Sequence, residues 1–301
     1  MNIIFQIRGG IGKTIMSTAV ISTIKKQNPE YNIIAVSEFP QIYQNNPDVF
    51  DIFNYNNFNQ LYNKHCRNQE FKVYMLEPYE HSDFINQKRD LFDVWSELCN
   101  VKYNNEWPSF YLSQDEVENY SKLFPSNKPI FALQTHGGDE SQGMDYNWAR
   151  DLPDNIVEEI INHYKDDYTI YHIKRPNQKS YANTIPATQG IREIAALIKL
   201  SKRRLFIDSF AQHLAVALHK HSTVCWISTT PKSFSYKNPT TLYSYHYVVK
   251  ANPPEFETNY TTFSGYNLVE NINNLPYSNT DRIFDGVDII GNIDRQKYNI
   301  Q

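Results

Sequence analysis

The first fourteen residues, Met1-Asn-Ile-Ile-Phe-Gln-Ile-Arg-Gly-Gly-Ile-Gly-Lys-Thr14, constrain the fold more than any other stretch of the chain. An apolar run of strand length, Asn2–Ile7, meets three glycines in four positions and then helix-forming residues. A strand that turns on glycine into a helix N-terminus suits a phosphate or phosphate-like group. The first amides of such a helix lack carbonyl partners and point outward along its dipole. A chain that opens this way is expected to be α/β.

The rest of the chain continues the alternation. A helix is expected over 14–26, where Met16, Val20 and Ile24 fall four apart on one face and Ile15, Ala19 and Ile21 widen it. Strands are expected over 32–36, 49–53 and 72–75, and a helix over 90–99. The stretch 108–129, polar and carrying Pro125 and Pro129, reads as a connection between domains. A second cycle then opens: strands over 129–134, 168–173, 204–207 and 223–227 alternate with helices over 154–164, 191–200 and 210–218. Such alternation indicates parallel sheets covered on both faces. After about residue 232 the pattern weakens. The expected architecture is α/β: two Rossmann-like, doubly wound parallel-sheet domains, 1–125 and 126–275, facing a central cleft. A tail over 276–301 follows, with the first domain as the surface it would pack against.

Composition narrows the function classes. The 301 residues carry a net charge of −4, which argues against a general binder of nucleic acid or membrane surfaces. Cys66, Cys99 and Cys225 are few, odd in number and widely spaced, so free buried thiols in a reducing compartment are expected. None has a second Cys or His at zinc-ligand spacing, so no metal site is expected. No apolar run is long enough to span a bilayer and no signal peptide precedes the first strand; a cytoplasmic protein is expected. The abundance of Asn, Tyr, Ile and Lys beside scarce Gly fits an AT-rich genome, viral or bacterial, and says nothing about chemistry.

Four constellations carry chemistry. Arg8-Gly-Gly-Ile-Gly-Lys-Thr14 departs from the full P-loop, which wants glycine where Ile7 stands. Three readings stay open: a phosphate cradle, a tight structural turn, and a nucleotide loop in which Lys13 and Thr14 would hold ATP and magnesium. The second constellation runs from Leu205 to Leu218: a strand ends at Asp208, and Ser209 is placed to cap a helix whose first-turn amides, from Phe210, point at the carboxyl end of the sheet. Gln212 and His213 lie one turn on. The third is Thr135-His-Gly-Gly-Asp-Glu140, with Arg150 following, a side chain able to clamp a phosphate with two prongs. The fourth is His172-Ile-Lys174 at the end of a strand, suited to a base or phosphate. Each has a bland counterpart in a capped helix, a surface ion pair or a solvated strand end.

Two resemblances enter here. The segment 8–14 resembles the variant P-loop of partitioning-type ATPases, with Arg8 in place of its first lysine and Glu38 as the nearest acidic residue after the second strand. Over roughly 1–235 the chain resembles the heptosyltransferase-like glycosyltransferases, of GT-B fold. The first helix with its small residues, the Asn46-Pro47 turn and Trp148–Pro153 contribute. The specific signature is Asp208-Ser209, His213-Leu214, Ala215, Ala217-Leu218 and then Thr229-Thr230-Pro231.

This resemblance implies transfer of a sugar from a nucleotide-diphosphate donor to an acceptor hydroxyl, inverting, with no metal or other cofactor. The acceptor would be a glycan, a lipid-linked glycan or another hydroxyl compound. The donor would be held by Thr135, His136, Gly137, Gly138, Arg150, Ser209, Phe210, Gln212 and His213, with Lys174 and Glu193 near the nucleoside. The acceptor would lie against Gly9, Gly10, Gly12 and Lys13. The family's general base is an Asp directly after its Gly-x-Gly turn, and Lys13 stands there. The base is then elsewhere (Glu38, Asp139, Glu140 and His136 are candidates beside Asp208), or the acceptor is already anionic, or the protein binds nucleotide sugars without turnover.

Overall fold

The computed structural model describes residues 1–137, 150–226, 231–236, 246–250 and 280–288. The chain divides into two compact units, Met1–Ser113 and Gln114–Gln301.

The first unit contains β1 (Asn2–Ile7), α1 (Ile11–Gln27), β2 (Asn32–Ser37), β3 (Asp51–Phe53), α2 (Phe58–Leu61), β4 (Phe71–Tyr74), α3 (Ser82–Ile85) and α4 (Leu91–Leu98). Its strands form a parallel sheet in the order β3-β2-β1-β4. In β1, Phe5 sits between Ala35 of β2 and Tyr74 of β4 in register, and its ring stacks on Trp95 of α4 at 6.1 Å. On the opposite face Ile4, Ile34, Val36, Phe53, Leu61 and Cys66 pack together. Buried faces on both sides explain the nearly continuous apolar runs of β1 and β2, in which only Gln6 interrupts β1 before Ile7. At the end of the described sheet, Phe71 and Val73 of β4 and the following Met75 are exposed.

α1 begins three residues earlier than its apolar periodicity indicates, at Ile11 after Gly10 in extended conformation. Gly12 is therefore a helical residue. Nor is α1 buried along a single face: Thr14, Ser17, Thr18 and Thr23 are enclosed with Ile15, Met16, Ala19, Val20, Ile21 and Ile24. The hydroxyls of Ser17, Thr18 and Thr23 donate to carbonyls of their own helix at 2.7–3.0 Å, so they can be buried without an unpaired polar atom.

The second unit contains α5 (Gln114–Ser121), β5 (Ile130–Leu133), α6 (Asp154–Tyr164), β6 (Thr169–Ile173), β7 (Ile185–Ala187), α7 (Ile191–Leu200), β8 (Arg203–Ile207), α8 (Phe210–Ala217), β9 (Ser222–Trp226), α9 (Pro231–Phe234) and β10 (His246–Lys250). Six parallel strands lie in the order β10-β9-β8-β5-β6-β7, so the winding reverses between β5 and β8. That order is the doubly wound Rossmann arrangement. Phe131, Leu133, Ile156, Val157, Ile160, Leu205, Ile207 and Cys225 belong to its core.

The stretch expected to be a plain connection holds α5, which is tied to α7 by a two-pronged pair from Arg192 to Glu116 at 2.6 and 2.7 Å. Strands β7 and β10 add to the expected set. β7 is three residues long and carries Pro186, and β10 falls where the periodicity fades. The described part of the C-terminal tail is a helical segment over 281–288 whose Ile283 and Val287 enter the second unit's core. All three cysteines are free and buried. Among the described residues, no helix is long and apolar enough to cross a membrane.

Candidate functional site

In a parallel sheet all strands present their carboxyl ends on one edge, and ligands bind there where the strand order reverses. In the first unit that place is between β1 and β4. Two residues, Gly9 and Gly10, join the end region of β1 to α1, and Gly9 takes φ +113°, a conformation L side chains rarely adopt. Lys13, in the first turn of α1, is 7 % exposed. Its Nζ donates to Glu77 Oε2 at 2.5 Å and lies 5.0 Å from the Tyr79 ring centroid and 5.8 Å from that of Trp95. Glu77 follows β4, keeps 38 % of its side chain exposed, and its Oε1 accepts from Tyr79 N at 3.3 Å. Lys13 is thus fixed by a carboxylate 64 positions away.

Thr14 is fully enclosed, with its hydroxyl donating to Gly10 O at 3.1 Å. Glu38 is exposed after β2, where its backbone carbonyl accepts from Asn54 Nδ2 at 3.5 Å. Tyr55 donates its hydroxyl to Ile7 O, and burial raises its pKa.

In the second unit the reversal lies between β5 and β8, and the loops after these strands carry most of the expected donor residues. Thr135 and Gly137 follow β5. The Gly137 N–H donates to Asp151 Oδ1 at 2.8 Å, and a Cβ on Gly137 would stand 3.4 Å from both Ile207 Cδ1 and Ser209 Oγ. The two loops therefore meet at van der Waals distance at Gly137. Asp208 and Ser209 follow β8. Ser209 occupies the N-cap of α8, but its side chain makes no capping bond; its Oγ accepts from Gln134 Nε2 at 3.3 Å. The first amides of α8, at Phe210 and Ala211, therefore receive no side-chain cap.

Asp208 is buried, and its Oδ1 accepts from Gln212 Nε2 one turn into the helix. Arg150 Nη1 reaches the Asp208 carbonyl at 3.5 Å. Around this point Gln134 Oε1, Gln212 Oε1 and Arg150 Nε are buried without a hydrogen-bond partner among the described residues. Buried polar atoms of this kind are rare in folded proteins and call for a ligand or ordered water.

Gln212 and His213 are both buried, His213 at 5 % exposed with Nδ1 2.8 Å from the Tyr236 hydroxyl. Burial, and secondarily the Arg150 charge, hold its pKa down to about 3. His172 is also enclosed. Its Nε2 lies 2.8 Å from Thr135 Oγ1, which lies 2.6 Å from His136 Nδ1. Burial, then the charges of His136 and Lys174, lower His172 to about 3. Burial also lowers His136, whose ring stacks on Tyr181 at 6.0 Å. Tyr181 in turn donates to Asp154 at 2.6 Å, so the residues after β5 are braced against α6.

Lys174 lies just past β6, 9 % exposed, with Nζ 3.4 Å from Pro176 O. Glu193 sits half-buried in the first turn of α7, whose N-terminus faces the same edge of the sheet. Gly138, Asp139 and Glu140 lie outside the described residues, as do Trp148, Thr229 and Thr230. Among the described residues no group of three His, Cys, Asp or Glu could hold a metal ion. Sequence patterning misses Glu77 and Tyr236: each reaches its partner across the fold, from 64 and 23 positions away, and no local pattern marks either.

Parallel sheets that reverse under helix N-termini define a Rossmann-like α/β fold. The whole chain shares that fold with solved glycosyltransferases. The Escherichia coli ADP-heptose lipopolysaccharide heptosyltransferase II is similar over 98 % of this chain and 100 % of its own, with a TM-score of 0.68 at 11 % identity. A glycosyl transferase family 9 protein from Veillonella parvula matches over 97 % of each chain, with a TM-score of 0.65 at 9 % identity. The E. coli heptosyltransferase WaaC, solved with ADP, covers 90 % of this chain and 100 % of its own, with a TM-score of 0.55 at 11 % identity. No protein-family model and no curated protein matches the sequence.

Proposed function

We propose that the protein is a glycosyltransferase of the heptosyltransferase-like kind, moving a sugar from a nucleotide-diphosphate donor to an acceptor hydroxyl, with inversion and without a metal. The observation that carries this reading is the N-terminus of α8 at the β5–β8 reversal, with Arg150 beside it and its Nε buried without a partner among the described residues. When the glycosidic bond breaks, negative charge develops on the departing diphosphate. The amides of Phe210 and Ala211, the helix dipole and the Arg150 guanidinium are donors fixed before that charge appears, which is how electrostatic catalysis lowers a barrier. Lys174 and Glu193 would meet the nucleoside from the β6–β7 side. The acceptor would be taken by the first unit at Gly9–Lys13, and the GT-B cleft belongs to the same proposal. The heptosyltransferase WaaC was solved with ADP, which makes adenosine diphosphate compounds the first donors to try.

Local geometry weighs against the partitioning-type ATPase. Its loop would need to wrap a phosphate, whereas only Gly9 and Gly10 stand between Arg8 and α1. Its Lys13 would need to reach that phosphate, and here it is held by Glu77.

A thermal-shift panel tests the proposal with ATP–magnesium, nucleoside diphosphates and ADP-, UDP- and GDP-sugars, with and without EDTA. A ligand at 100 times its Kd stabilises the native state by about 2.7 kcal/mol. The expected result is stabilisation by one diphosphate family, unchanged by EDTA and lost in Ser209→Asp, which sets a carboxylate where the diphosphate would lie. Stabilisation by ATP–magnesium alone, abolished in Lys13→Ala, would return the N-terminal loop to the ATPases.

A further inference from the structure

We infer that Glu77 is the general base of the transfer and that Lys13 is its positioning residue; the inference rests on the proposed glycosyl transfer and names the group that reading leaves open. The family resembled here carries an Asp at the place of Lys13, and a lysine already protonated cannot take a proton from an acceptor hydroxyl. The fold supplies a carboxylate at that place by another route. β4 is the neighbour of β1, so the residues after β4 arrive beside the first turn of α1. Glu77 Oε2 then meets Lys13 Nζ at 2.5 Å.

The geometry of Glu77 suits the task. Its Oε2 is fixed by the ammonium and its Oε1 by the Tyr79 N–H at 3.3 Å, so the carboxylate is held without losing all its lone pairs. Its side chain is 38 % exposed while that of Lys13 is 6 % exposed, so the carboxylate and not the ammonium is reachable. The Tyr79 and Trp95 rings flank the ammonium at 5.0 and 5.8 Å, keeping it against Glu77. Glu38, exposed after β2, makes no ion pair with Lys13.

The step balances. The acceptor O–H gives its proton to a Glu77 oxygen, and the acceptor oxygen forms a bond to the anomeric carbon of the donor. The bond from that carbon to the diphosphate oxygen breaks, and its electron pair leaves with the diphosphate. Because the Lys13 charge is already matched, this site selects a neutral hydroxyl rather than a phosphate as its acceptor group.

The test uses the full chain and the nucleotide sugar giving the largest thermal shift among ADP-, UDP- and GDP-hexoses. Release of nucleoside diphosphate is followed with water and with octyl glycosides as acceptors. Glu77→Gln is expected to lower kcat at least about 100-fold, the usual scale for a lost general base. Its donor-induced thermal shift should stay that of the wild type. Glu77→Asp is expected to recover part of the rate, and Lys13→Met to lower kcat with donor KM unchanged. The exchanged pair, Lys13→Glu with Glu77→Lys, should exceed Glu77→Gln, because it returns a carboxylate to the same place.

Turnover of Glu77→Gln within threefold of wild type overturns the inference and leaves the transferase standing. Donor binding by the wild type with no release on water or any glycoside also overturns it, and favours a nucleotide-sugar sensor. Failure of every nucleotide sugar to shift the melting temperature removes the proposed function itself.

Discussion

At the scale of single residues, the second unit keeps two imidazoles out of water. His172 and His213 both have folded pKa values near 3 against an ordinary 6.5, with burial as the largest cause. The fold therefore refuses a proton that the unfolded chain accepts below about pH 6.5. Stability attributable to them is full above that pH and falls as pH drops from 6.5 towards 3, by about 1.4 kcal/mol per pH unit for each histidine. Melting temperature is expected to decline between pH 7 and pH 5, and His172→Gln to flatten the decline. Equal slopes in the two proteins would show that the His172 ring already takes its proton in the folded state. The sequence places His172 at a strand end and His213 on a helix, but enclosure depends on Thr135 and Tyr236, contributed by other elements. Legibility at this scale stops at the residue's own element.

Elements are more legible, and unevenly so. α6 and α7 match their expected spans at both ends because a strong apolar period is punctuated by Pro153 and by Gly190. The onset of α1 is displaced because Gly12 reads as part of the turn although the turn itself is only Gly9 and Gly10. These two glycines differ physically, and substitution separates them. Gly9 holds φ +113°, and a Cβ there would stand 3.2 Å from Lys13 Cδ. Gly10 is extended at φ −76°, with nothing within 4 Å of a Cβ. Gly9→Ala is expected to cost about 1–3 kcal/mol, the usual range for a forced backbone conformation. Gly10→Ala meets no clash but puts a poor capping residue at the N-cap of α1, and is expected to cost less, at most about 1 kcal/mol. Thermal melts of the two variants check the contrast; equal losses would mean that the turn does not need a positive φ.

Over the whole molecule the two strand–helix cycles are legible, because fully buried parallel strands and the helices between them alternate in plain view. The polar segment of α5 is not, since none of its residues is buried and no period marks it. Met1–Ser113 encloses its own apolar cores and is long enough for a domain. Expressed alone, it is expected to melt cooperatively, with the Trp95 environment retained in near-ultraviolet circular dichroism. A non-cooperative melt would mean that this unit takes its order from the rest of the chain. The enclosed hydroxyls of α1 bear on how such a unit comes to be. Thr14, Ile15, Thr18, Val20, Ile21, Thr23 and Ile24 are β-branched residues with poor intrinsic helicity, so the 17-residue segment draws most of its helical stability from packing. Once released by the ribosome, this segment has little reason to coil before β1 and β2 have found each other. Pairing of β1 with β2, Asn2 on Asn32 some 30 positions apart, is therefore expected to form before the helix between them, and a Thr18→Ala variant that speeds folding would contradict it. Assembly that waits on a distant encounter is slow, and a chain with this order would spend its first moments with an apolar strand uncovered and in need of protection.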